Sequence, residues 1–191
     1  MGNLFACHEF DIQNTFTVLM LVFCRFNMRR KQDQEHLSNE KVPSDLLNIQ
    51  GIAFAKKGQF EEAIECFVKA HELNPNNPLS WYNIGTSLAM VNKEDKALLI
   101  LYCYERAIEL DPYNAEAWNN KGAIMEMMGS DKSALACYER SLEIRPGYPS
   151  AISNIELLLK KLGYRQASKK HSTPNRKLTA ISDALNNVSF D

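Results

Sequence analysis

The chain has 191 residues, enough for one ordinary domain or a short array of repeats, and its 22 basic and 23 acidic residues leave a formal net charge of −1. That balance removes any chain-wide electrostatic case for nucleic-acid or membrane binding. The five cysteines (Cys7, Cys24, Cys66, Cys103, Cys137) form no CxxC pair and the four histidines lie far apart, which argues against disulfides and zinc and for a reducing, cytoplasmic setting.

Residues 1–43 read as an N-terminal extension. Its apolar run, Thr15 to Cys24, spans about ten residues where a membrane-crossing helix needs about 20. No basic residue precedes the run, as a signal peptide would require. Met28 opens a polar lead-in that reads as an alternative start, and no membrane partner is expected.

From Ser44 the sequence repeats. Gly51, Gly85 and Gly122 are separated by 34 and 37 residues, and Pro75, Pro112 and Pro146 by 37 and 34. Each unit reads as two helices. The first starts at Pro43-Ser44, Asn77-Pro78, Asn114 or Pro149, where Ser or Asn can cap the free N–H groups and Pro suits the first helical position. The hairpin turns at Gly58, Asn92, Gly129 and Gly163, residue types that tolerate a left-handed backbone. The second helix runs to "ELNP", "ELDP" or "EIRP", where proline stops it.

Large side chains recur in the first helices at Leu47, Trp81, Trp118 and Ile152, and two turns later at Phe54, Leu88, Met125 and Leu159. The glycines between them mark close helix approach. The second helices carry Ala63, Ala97 and Ala134, then Phe67, Tyr104 and Tyr138. The middle unit holds three surplus residues between Ala97 and Cys103, equivalent to Ile100–Tyr102. Three residues inserted in a helix rotate its remainder by about 60°. The expectation is therefore a longer second helix there, with one large apolar side chain poorly covered.

"WYNIGTSL" and "WNNKGAIM", with the weaker "LNIQGIAF", together with the A-x3-aromatic spacing and the terminal proline, resemble the tetratricopeptide repeat. The resemblance spans residues 44–163 and implies an all-α, right-handed superhelical stack of antiparallel helix pairs. The units are 44–77, 78–114 and 115–148, with a capping helix at 149–163. It also implies a non-enzymatic scaffold that binds an extended peptide or helix of a protein partner in a concave groove lined by the first helices. On that face it places Asn48, Ile52, Tyr82, Thr86, Asn119, Ala123 and Glu126, with Met90 and Met127 further along. Asn83, Asn120 and Asn154 form an amide column suited to holding a peptide backbone. Where some family members clamp a carboxylate with Lys and Arg, this chain has Asn48, Ile52, Asn83, Glu116 and Asn120, so the cations are missing.

Residues 44–148 carry 10 basic and 15 acidic side chains, a net −5 that favours a neutral or basic partner segment. The tail, residues 164–191, is basic and reads as disordered up to Lys177. Tyr164 is the one aromatic among its lysines, too few for a nucleic-acid site. No HExxH, Gly-rich phosphate loop or Ser/His/Asp grouping occurs, so no catalysis, cofactor, metal or small-molecule substrate is expected. A second reading makes the chain an accessory module of a membrane or ribonucleoprotein assembly, acting through its N-terminal apolar segment or its basic tail.

Overall fold

The computed structural model describes residues 43–92 and 94–162. The apolar run, Met28, Gly163 and the basic tail all lie outside the described residues. Among those described are seven α-helices and no strand: α1 Ser44–Lys56, α2 Phe60–Leu73, α3 Pro78–Val91, α4 Ala97–Leu110, α5 Ala115–Met127, α6 Asp131–Ile144 and α7 Pro149–Lys161. The pairs α1/α2, α3/α4 and α5/α6 form hairpins, each packs on the next, and α7 closes against α6.

Local chemistry sets the helix limits. Asn77 caps α3 by accepting from Leu79 N–H at 3.0 Å, and Asn114 caps α5 by accepting from Ala117 N–H at 2.9 Å. Ser44 is already the first residue of α1 and provides no side-chain cap. Gly58 (φ 77°) and Gly129 (φ 79°) turn the first and third hairpins in the left-handed region.

The glycine columns are where rings enter. A Cβ on Gly51 would lie 2.5 Å from the Phe67 ring, and one on Gly122 would lie 2.6 Å from that of Tyr138. Phe67, Tyr104 and Tyr138 are each no more than 2% exposed. Ser141 is also fully buried and donates to the Ala115 carbonyl at 2.7 Å, tying α6 to the start of α5. Ile155, Leu158 and Leu159 of α7 are buried against Leu135, Tyr138 and Leu142 of α6. At about 1.5–3 kcal/mol for each large apolar side chain, α7 is held by hydrophobic burial.

The three surplus residues do not sit in the second helix: one extends α3 and two widen the turn before α4. α4 has 14 residues, the same as α2 and α6. The surplus lengthens α3 to 14 residues, against 13 for α1 and α5, and widens the turn before α4. Lengthening a surface turn costs little closure entropy, whereas three residues inside α4 would rotate its buried face out of the core. Asn92, which replaces the turn glycine, is extended (φ −158°), not left-handed. Its Nδ2 donates to Asp95 Oδ2 at 2.7 Å, and its Oδ1 accepts from Asp95 N–H at 3.2 Å. Ile100, fully buried four residues before Tyr104, fills the place that Ala63 and Ala134 take before Phe67 and Tyr138. Tyr102 meets Trp81 edge-on at 5.6 Å. The poorly covered apolar side chain is Leu98, 58% exposed beside the turn.

Candidate functional site

The first helices α1, α3, α5 and α7 share a face, and across α3, α5 and α7 several of its polar side chains join into one hydrogen-bonded chain. Asn154 on α7 donates to Asn119 Oδ1 at 3.0 Å, and Asn119 donates to Asn120 Oδ1 at 3.2 Å. Asn120 Nδ2 reaches the Tyr82 hydroxyl at 3.5 Å, and that hydroxyl donates to Glu116 Oε2 at 3.4 Å. Arg145, just after α6, closes the series by donating to Glu116 Oε1 at 3.1 Å, with its guanidinium 4.8 Å from the Tyr148 ring centre. Tyr82 therefore spans the α3–α5 seam with its hydroxyl fixed. Its ring lies 6.1 Å from that of Tyr104, whose own hydroxyl is 3.5 Å from Thr86 Oγ1. Thr86 in turn donates back to the Tyr82 carbonyl at 2.9 Å. Such a network holds its members in one geometry.

Next to it, between α1 and α3, is an open depression of about 280 Å³ lined by Ile52, Ala55, Lys56, Phe67, Asn83, Thr86 and Ser87. Ile52 is 40% exposed. Asn83 is half-buried and makes no hydrogen bond to the described residues. The two halves of the face differ: across α3, α5 and α7 most of the amides bond to one another, whereas over α1 and α3 an apolar floor carries a spare amide and a lysine.

Burial pushes the Tyr82 hydroxyl above its usual pKa, and the nearby Glu116 carboxylate adds to this. Burial likewise pushes Tyr104 up to about 12. Both phenols thus stay protonated at neutral pH and serve as hydrogen-bond donors. None of this is a catalytic pairing, and among the described residues no group of three His, Cys, Asp or Glu could hold a metal ion.

Two of the amides expected on the ligand face are buried. Asn48 is 6% exposed and accepts from the Ser80 hydroxyl at 3.3 Å, joining α1 to α3. Asn119 is 5% exposed and bonded to amides on both sides. Both face the neighbouring helix, because this column points into the seam between repeats. Tyr82, Asn83, Thr86, Asn120, Ala123, Glu126 and Asn154 are half-buried, and Met90 and Met127 are exposed. Glu126 accepts from the Tyr138 hydroxyl at 2.9 Å, away from the amide network. The amide column does not run free from end to end: Asn120 and Asn154 are engaged, and Asn83 alone of the three makes no such bond. Sequence reasoning missed Lys56 and Arg145. Lys56 occupies the place of Met90 and Met127, which was readable, whereas the reach of Arg145 to Glu116 carries no sequence signal.

Comparison with known proteins agrees with the repeat fold. One family model, described as TPR repeat, matches residues 51–91, and a second, described as Tetratricopeptide repeat, matches residues 103–136. The chain is 40% identical over 48 residues to the peroxisomal targeting signal receptor of Saccharomyces cerevisiae, covering 25% of this chain and 8% of that protein. It is 35% identical over 57 residues to the receptor of the same name from Candida glabrata, covering 30% and 10%. The matched segments thus span a tenth or less of these relatives. Among solved structures, the first TPR of Spaghetti (RPAP3) bound to HSP90 peptide SRMEEVD superposes with a TM-score of 0.58 at 23% identity, covering 68% of this chain and 98% of that one. MamA superposes with a TM-score of 0.59 at 20% identity, covering 91% and 89%. At these identities the structural likeness shows the fold: an all-α stack of tetratricopeptide helix pairs.

Proposed function

We propose that this chain, which carries tetratricopeptide repeats and so has the fold of a protein-interaction module, is a scaffold that holds an extended peptide or a helix of a partner protein across the face of α1, α3, α5 and α7. One observation carries the reading. Beside the Tyr82 network, Asn83 stands unbonded over a depression floored by Ile52 and Phe67. A free amide offers two donors and an acceptor to a passing peptide backbone, and the apolar floor suits an anchoring side chain. Tyr82, pinned at its hydroxyl by Asn120 and Glu116, is a rigid aromatic neighbour, the kind of group that dominates interface energetics.

Charge selects the partner. Lys56 alone of the depression's lining is charged and Arg145 is taken up by Glu116, so the face lacks the paired cations that grip a terminal carboxylate, and the repeat region is net −5. A neutral or basic segment fits, and an acidic peptide such as the SRMEEVD bound by RPAP3 does not. The test is affinity capture with the intact protein and with a Tyr82→Ala, Asn83→Ala, Asn120→Ala variant. Specific partners should be lost from the variant and retained by Tyr113→Ala, a change at an exposed loop residue. Retention of all partners by the triple variant would reject the face.

A further inference from the structure

The widened turn before α4 builds a second cavity, outside the depression described above. Glu94, Asp95, Ala97, Leu98, Met127 and Met128 line an open space of about 380 Å³ where the α3–α4 turn meets the end of α5. That volume lies within the ~300–1,000 Å³ range of ligand pockets. Three of its walls are large apolar side chains in contact with solvent: Leu98 is 58% exposed, Met127 38% and Met128 44%. The other hairpins, with three-residue turns, have no equivalent of the Glu94–Lys96 stretch to wall off such a space.

We infer that this cavity is a docking site for a partner segment that carries a large apolar anchor residue flanked by Lys or Arg, a site that meets the first-helix face at Met127 but shares no residue with the depression between α1 and α3. The composition of the walls supports each half of that description. Leu98 and the two thioethers offer an apolar, adaptable socket, since Met side chains repack around differing anchors. Among the described residues the rim carries two carboxylates and no lining cation. Neither Glu94 nor Asp95 makes an ion pair among the described residues, and Asn92 holds Asp95 in place. Lys96 belongs to the same turn but does not line the cavity. A basic residue beside the anchor would complement the rim, and the net −5 of the repeat region extends the same preference outward. A second copy of this chain fits poorly, because a twofold contact centred here would set Glu94 and Asp95 of both copies against each other.

The experiment pans the full chain against phage displaying random 16-residue peptides, and measures the enriched peptides by fluorescence anisotropy. The expected class has Leu, Phe or Met within four residues of Lys or Arg. Its affinity should fall about tenfold in Leu98→Glu, a change at an exposed position that leaves the helical circular dichroism intact. It should weaken steeply with salt, and Glu94→Lys, Asp95→Lys should instead select acidic peptides. Tyr82→Ala should leave this class bound while abolishing peptides of the first-helix face, so failure of one site is distinguishable from failure of the other. The inference is overturned if no enriched peptide depends on Leu98, or if charge reversal leaves selection unchanged. Two other occupants would overturn it as well. Concentration-dependent association of the protein, lost in Leu98→Glu, would identify a second copy. Methyl resonances of Met127 and Met128 that shift when residues 164–191 are removed would identify the chain's own tail.

Discussion

Replacing Gly122 with alanine should destabilise the protein, although alanine is the better helix former. At an ordinary exposed helix position the change would return about 1 kcal/mol of helix propensity. Here the new Cβ would stand 2.6 and 2.8 Å from Tyr138 Cε1 and Cδ1, and 3.0 Å from the Ala134 carbonyl oxygen. Carbon atoms rest at roughly 3.5–4.0 Å, so the ring must retreat by about 1 Å. Tyr138 is 1% exposed and its hydroxyl donates to Glu126 at 2.9 Å, so retreat disturbs a filled core and a charge-assisted hydrogen bond together. Overpacking of this kind costs about 1–3 kcal/mol, and loosening the bond adds about 1 kcal/mol. After the propensity gain the net loss is about 1–3 kcal/mol. Urea unfolding followed by circular dichroism should show a lower midpoint for Gly122→Ala, and a markedly smaller loss when the change is made in a Tyr138→Leu background. Gly129→Ala should cost about 1 kcal/mol through its left-handed backbone alone and show no coupling to Tyr138, because nothing lies within 4 Å of a Cβ built there. A Gly122→Ala protein more stable than the parent, or one whose loss ignores residue 138, would refute the close-approach account.

Deleting Lys93–Asp95 should leave helix content unchanged and shift the melting temperature by only a few degrees, whereas deleting Ile100–Tyr102 should abolish cooperative unfolding; comparable melting of the two proteins would contradict the turn assignment. Burial pushes the Cys103 thiol up to about 12, raises Cys137 as well, and leaves Cys66 half-buried with Lys69 partly opposing its rise. Of these three, iodoacetamide labelling read by mass spectrometry should therefore modify Cys66 first and Cys103 only on unfolding. Burial, aided by Arg106, lowers the His71 pKa below its usual 6.5, so the unfolded chain binds the proton more readily. The contribution is fully present above pH 6.5 and is lost as pH falls from there through the folded value. A His71→Gln protein should accordingly show a flatter acid limb of stability, and an unchanged limb would reject the assignment. Arg145→Ala should release Glu116 and further weaken capture of acidic peptides while sparing basic ones, measured by anisotropy.

The repeat itself was legible because close packing writes it twice, once as a glycine and once as the ring that fills the space. Gly51 with Phe67 and Gly122 with Tyr138 recur in step. The position of the surplus residues was not legible from identity alone. Matching Ala97 to Ala63 and aligning the Cys-Tyr-Glu-Arg runs forces the gap into a helix, whereas a helix absorbs three residues only by rotating its buried face. Two signals pointed to the turn: the polar run Lys93–Lys96, and the apolar Ile100 four residues before Tyr104. Spacing placed the amides on the right helices but could not separate Asn83, which is free, from Asn48 and Asn119, which bond across the seams. That distinction depends on Ser80 and Asn154, residues 32 and 35 positions away.

A partner lying along the first helices is the central claim. The most direct test is a side-chain amide and aromatic NMR titration of the full chain with a partner peptide recovered by capture. Binding in that groove predicts shifts at Asn83, Asn120, Thr86 and Tyr82, with Tyr113 unmoved. Shifts confined to second-helix residues such as Glu109 and Glu143, with the Asn83 amide unchanged at saturation, would contradict it.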